Sequence, residues 1–122
     1  MKIQTLRQDG VATVVLAGEI DAAQGAEVRG AIRDLLAQDE TRFVFDISGV
    51  TFMGSTAVAC LAQARRDAVA REGAVALVNP PPMVRKMFAT LGIEAHFPVF
   101  PTREAARAAL TTRGPGKGTG ER

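Results

Sequence analysis

At 122 residues, with 47% hydrophobic and 23% charged side chains, the chain has the size of one domain with its own core, an aliphatic core since there are six Phe and no Trp or Tyr. The net charge of +2 is unevenly placed: from Arg103 onward five Lys/Arg stand against two Glu, a surplus of +3, so the first 102 residues carry −1, which argues against a nucleic-acid-binding surface. No apolar run approaches the roughly 18 residues of a membrane span, the N-terminus has no signal-peptide apolar stretch, and a single Cys cannot form an internal disulfide; together these point to a reducing cytoplasm.

Lys2 to Gln8 predicts a short strand, and Asp9-Gly10 a hairpin turn. Val11 to Ala17 is β-branched and nearly all apolar, as a central strand is, and Gly18-Glu19-Ile20-Asp21 closes it. A helix follows over Ala23–Gln38, with Val28, Ala31, Ile32, Leu35 and Leu36 on one face. Gly25 and Gly30 weaken it, unless Gly25 lies in an irregular first turn. Phe43–Ile47 is apolar throughout, the pattern of a strand buried on both faces, and Ser48 to Thr51 reads as a loop.

The stretch Phe52-Met53-Gly54-Ser55-Thr56-Ala57-Val58-Ala59-Cys60-Leu61 opens the next helix, from Ser55 to about Arg71. Two hydroxyls therefore sit where a strand feeds a helix N-terminus, with unpaired N–H groups that favour negative charge. A phosphate on either is stabilised there; the plainer role for Ser55 is the N-cap. At 100° per residue, Val58, Leu61, Ala62, Ala68 and Val69 share the apolar side, with Arg65 a misfit among them. Thr56, Ala59, Gln63, Arg66, Asp67 and Ala70 share the outward side, paved with small residues that let a partner approach.

Glu72-Gly73 ends this helix, with Gly73 as the C-terminal stop. Ala74–Val78 is a fourth strand, Asn79-Pro80-Pro81-Pro82 a turn, and Met83–Leu91 a short helix stopped by Gly92. Phe97–Phe100 is extended and, holding Pro98, belongs at a sheet edge. A last helix spans Arg103 to about Leu110; the Gly-rich charged run that follows is expected to be a disordered tail, giving a domain over residues 1–111 and a tail over 112–122. This order implies an α/β fold with one mixed sheet and helices packed on it.

Enzyme chemistries are poorly supplied. Gly114-Pro115-Gly116-Lys117-Gly118-Thr119 fails as a phosphate loop because Gly118 intervenes and no strand precedes it. Ser55 lacks a nucleophile elbow, His96 is the sole histidine, and one His with one Cys builds no metal site. Asp21 and Asp46, each read at a strand end, could meet as paired carboxylates, but turn and cap roles suit them better. The expectation is therefore no enzyme, no metal and no cofactor.

The ordered series of segments resembles the STAS domain, and within it the bacterial anti-sigma factor antagonist family. The matching residues are Gly18-Glu19-Ile20-Asp21-Ala22, Val44-Phe45-Asp46-Ile47-Ser48-Gly49-Val50, Phe52-Met53-Gly54-Ser55-Thr56-Ala57-Val58, Leu77-Val78-Asn79-Pro80, and Leu91-Gly92 with Phe97-Pro98-Val99-Phe100. The resemblance implies a single STAS-like domain, a mixed sheet of four to five strands with about four helices. It further implies partner switching. The unmodified antagonist binds an anti-sigma factor with serine/threonine kinase activity, freeing a sigma factor for transcription; phosphorylation releases it, and a phosphatase resets it. The family loop reads Asp-Ser-Ser/Thr-Gly-Leu with phosphate on the second hydroxyl, which here is Thr56, with Ser55 as second choice. Partner contacts are expected at Asp21, Gly54, Ser55, Thr56, Ala59, Gln63 and Arg66. Gly54 stands where the family has Asp, and Ala57 where it has Gly. Losing that carboxylate removes a cap and a kinase contact, and also a like charge beside the phosphate. The implied setting is cytoplasmic, without nucleic acid or membrane insertion, and with weak homodimerisation left open. The alternative the resemblance allows is a STAS accessory subunit of a membrane lipid ABC transporter or of another signalling assembly, without a phosphorylation switch.

Overall fold

The computed structural model describes residues 1–113; the expected Gly-rich tail lies outside the described residues beyond that point. The elements are β1 (Lys2–Gln8), β2 (Val11–Ile20), α1 (Ala22–Ala37), β3 (Arg42–Met53), α2 (Ser55–Ala70), β4 (Ala74–Val78), α3 (Pro82–Thr90), a 3-10 turn (Glu94–His96), β5 (Val99–Phe100) and α4 (Arg103–Arg113). They form a five-stranded mixed sheet in the order β1-β2-β3-β4-β5. The β1–β2 pair is antiparallel and the β2–β3, β3–β4 and β4–β5 pairs are parallel. Asp9 and Gly10 both take positive φ, 57° and 75°, the backbone of the tight hairpin turn this dipeptide favours.

The one-way strand order decides the layers. Each of the three parallel crossovers is a right-handed step in the same direction, so α1, α2 and α3 are laid on one face. Their core is built from Val28, Ile32, Leu61, Val84 and Phe88 against Val14, Leu16, Phe45, Ile47 and Leu77. The opposite face is covered by α4, whose Ala106 and Leu110 pack on Val11, Val44, Ala76 and Val78.

Three local expectations are corrected, and the alternative left open at Gly25 is settled as interior. First, Ser48–Thr51 is not a loop but part of β3, because β2 and β3 pair on to Ile20↔Met53 through two register shifts. Asp46 is consequently mid-strand. Second, Gly25 is an interior helical residue, buried against α2, where a Cβ would lie 3.6 Å from Ala57. Third, the residue after α2 in the left-handed conformation is Glu72, at φ 63°, whereas Gly73 is required because a Cβ there would fall 1.8 Å from the Thr41 carbonyl oxygen. The Gly73 N–H then donates to the Ala68 carbonyl at 2.7 Å, closing the helix end. Fourth, Val69 is 47% exposed. The buried side of α2 is Ala57, Val58, Cys60, Leu61, Ala64 and Ala68, rolled toward α1 relative to the expected one because α1 packs on that flank. Arg65 is half-buried on the other flank.

Candidate functional site at the start of the second helix

The site begins with the paired exits of β2 and β3. Ile20 and Met53 are register partners, and the Gly54 N–H donates to the Ile20 carbonyl at 2.9 Å, so Asp21 and Gly54 leave the sheet side by side. Each is the N-cap of the helix that follows. Asp21 caps well: its carboxylate accepts from the Ala23 N–H at 3.1 Å and more weakly from the Gln24 N–H at 3.5 Å, while the Gln24 side-chain oxygen accepts from the Asp21 N–H at 3.3 Å. Gly54 has no side chain to offer, and α2 starts without a side-chain cap.

Ser55 is therefore the first helical residue and not the N-cap, because the chain is still extended at Gly54 (φ −77°, ψ 167°). Ser55 and Thr56 are both exposed, and among the described residues neither hydroxyl hydrogen-bonds to another protein group. Beneath them, Ala57 is buried against Gly25, which holds the first turn of α2 close to α1. From Thr56 an exposed stripe runs down α2 through Ala59, Gln63 and Arg66. Gln63 is fixed in it: its amide donates to Asp67 at 2.9 Å and its oxygen accepts from Arg66 at 2.7 Å. The structure thus gathers Asp21, Gly54, Ser55 and Thr56 at one rim and sets Ala59, Gln63 and Arg66 on the surface leading away from it.

Two contributors were not singled out from sequence. Phe52 is 44% exposed, and its ring edge would lie 3.7 Å from a Cβ at Gly54. Gly25 sets the separation of the two helices at the rim. The hint for Phe52 was its place beside Gly54; for Gly25 it was a glycine inside an otherwise regular helical pattern.

Asp46 does not join Asp21. It lies on the α4 side of the sheet, only 5% exposed, and binds the Arg103 guanidinium at 2.5 Å. It also accepts from the Ser48 N–H and hydroxyl at 3.2 and 2.7 Å. Burial pushes its carboxyl up, but the Arg103 and Ser48 hydrogen bonds and the Arg103 charge outweigh burial and hold it below its ordinary value. The pair joins α4 to β3. His96 is exposed in the 3-10 turn, and Cys60 is buried with its thiol 3.4 Å from the Gly25 carbonyl. Among the described residues, no cluster of three or more His, Cys, Asp or Glu is placed to hold a metal ion, and no helix is long and apolar enough to cross a membrane.

Comparison with known proteins agrees with this architecture. The STAS domain family profile matches residues 2–106. The anti-sigma-F factor antagonist RsfB of Mycobacterium tuberculosis is 30% identical over 94 residues, 77% of this chain and 76% of that protein. The crystal structure of an anti-sigma factor antagonist from Mycobacterium paratuberculosis superposes with a TM-score of 0.77 at 26% identity, covering 89% of this chain and 92% of that one. The Bacillus cell fate determinant SpoIIAA in its phosphorylated form shares the fold, with a TM-score of 0.75 at 24% identity over 89% of this chain and 99% of that one. The chain thus belongs to the STAS domain family, among the anti-sigma factor antagonists.

Proposed function

We propose that this protein binds an anti-sigma factor with serine/threonine kinase activity, that phosphorylation of Thr56 ends the complex, and that a phosphatase restores it. The observation that carries the reading is the pair of exposed hydroxyls, unbonded among the described residues, on the first turn of an α2 that has no side-chain cap. A phosphate added there gains the unpaired N–H groups and the helix dipole, so the fold tolerates it. The same group puts about −1.5 to −2 charges into a partner's footprint. A loss of about 3–4 kcal/mol of binding free energy, a few hundred-fold in affinity, is enough to dissolve a complex. That the fold exists in a phosphorylated form in SpoIIAA supports its capacity to carry the group. Thr56 precedes Ser55 as acceptor because it aligns with the family's second hydroxyl.

The test is incubation with the anti-sigma factor and ATP, followed by mass mapping. One phosphate on Thr56, absent from Thr56→Ala, is the expected result, together with loss of binding in a normally folded Thr56→Glu variant. Phosphate mapped elsewhere, or binding undiminished in Thr56→Glu, would overturn the switch. A stable complex with a transporter ATPase, indifferent to that variant, would instead favour the accessory-subunit role.

A further inference from the structure

The outer seam between α1 and α2 is a trench. Two hollows, of about 110 and about 370 Å³, share Arg33, Leu36 and Asp67 as lining and so run into one another. Their buried lining is apolar, with Ile32 and Ala64 in the upper hollow and Leu36 in both. Three arginines reach the trench: Arg29, Arg33 and Arg71. Arg71, in the lower hollow, is committed, donating to the Leu36 carbonyl at 2.8 Å. Arg29 and Arg33 are exposed, and among the described residues neither has an ion-pair partner within 4.0 Å.

Charge is segregated around α1. Its acidic residues, Glu27 and Asp34, lie roughly 100–160° round the helix from the two arginines, by the 100° advance per residue, and so face away from the trench. Among the described residues, the one carboxylate lining it is Asp67, which accepts from Gln63. The upper hollow begins about one turn below the rim: Gly25, which abuts Thr56, is about 6 Å before Arg29 along α1.

We infer that this trench receives an acidic segment of the protein partner, with Asp or Glu carboxylates on Arg29 and Arg33 and an apolar side chain between them on Ile32, Leu36 and Ala64. The inference rests on the proposed function in taking the partner to be the one that lands on Thr56. Arginine suits carboxylates because its planar fork can bind both oxygens. An apolar floor only a few residues long suits a peptide side chain better than a nucleic-acid backbone, and the −1 charge of the first 102 residues agrees. The arrangement also gives the modification a second effect. A phosphate on Thr56 stands about one helical turn above a trench filled by negative charge, so it repels the occupant.

The decisive measurement is titration of the purified anti-sigma factor against the wild-type chain, Arg29→Glu/Arg33→Glu, Arg29→Gln/Arg33→Gln, Thr56→Glu and a control on α3, Lys86→Glu, at about 50 and about 300 mM NaCl. The double Glu variant is expected to bind at least about tenfold more weakly at low salt and to lose most of the salt dependence, the Gln pair less so, with Lys86→Glu unchanged. Unaltered thermal melts establish that the variants fold. Wild-type affinity and salt dependence in both arginine variants, with binding lost in Thr56→Glu, would overturn the trench and leave the switch standing. Binding lost in the arginine variants but kept in Thr56→Glu would support the trench and overturn the switch. Amide shifts at Arg29 and Arg33 on adding a short poly-L-glutamate, and none with duplex DNA, are the supporting result without the partner; the reverse preference would overturn the choice of occupant.

Discussion

Gly54 and Gly73 stand at the two ends of α2 for different reasons, and substitutions separate them. At Gly54 the backbone is ordinary extended chain, and a Cβ would meet its neighbours at 3.7 to 3.9 Å, normal contact distance. Gly54→Asp, which restores the family carboxylate, is therefore expected to fold and to supply the missing cap. The gain is a few tenths to about 1 kcal/mol, read as a rise of a few degrees in Tm. At Gly73 a Cβ would drive into the Thr41 carbonyl, so Gly73→Ala should lose more than about 2 kcal/mol in urea unfolding. Gly30 is the counter-case: nothing lies within 4 Å of a Cβ there, and Gly30→Ala should gain up to about 1 kcal/mol. A Gly73→Ala variant as stable as wild type would mean that the β3 entry and the α2 exit are not packed as described. Sequence located the helix stop at Glu72-Gly73 but not its cause, because the obstructing carbonyl belongs to a residue far away in the chain.

α4 is held on its sheet face by few buried side chains. Among the described residues it alone covers its face of the sheet, through Ala106, Leu110 and the Arg103–Asp46 pair. Because the Asp46 pKa is lowered on folding, its contribution is complete above the unfolded value near 3.9 and is lost as pH falls through the lower folded value. Asp46→Asn should thus be less stable than wild type at pH 7, by about 1–2 kcal/mol once the 40% exposure of the Arg103 side chain is allowed for. The gap should narrow below about pH 4. Hydrogen exchange in α4 should quicken in parallel, ahead of α1 and α2. A stability difference that stays constant from pH 7 to about pH 3 would count against the ion pair. Element identity was legible in the sequence because apolar periodicity is a local property, as at Val28, Ile32 and Leu35. The length of β3 was not, since Ser48 and Gly49 look like loop residues and become strand only through pairing with β2. Nor could the pattern assign Asp46 to a face, as its partner Arg103 lies in the last helix.

For the molecule as a whole, the family resemblance carried by Gly18–Ala22, Val44–Val50 and Phe52–Val58 led to the right fold, because the first and last of these form the adjacent exits of β2 and β3 and the second is the middle of β3. The expected rim residues Asp21, Gly54, Ser55 and Thr56 are neighbours in space for that reason. The charge asymmetry of the α1–α2 seam was not visible, since Arg29 and Arg33 acquire a common direction only once α1 is set against α2. That seam also carries its own reporter. Cys60 is the chain's single thiol, 6% exposed and seated against the Gly25 carbonyl. It lines the upper hollow of the seam while staying buried, so fast iodoacetamide capture requires the two helices to part, and the rate follows how often they separate. Capture should be far slower than for a free thiol and should accelerate steeply as urea approaches the unfolding midpoint. Followed with the anti-sigma factor added or withheld, the same sulfur becomes a stopwatch for whether docking tightens that seam or loosens it.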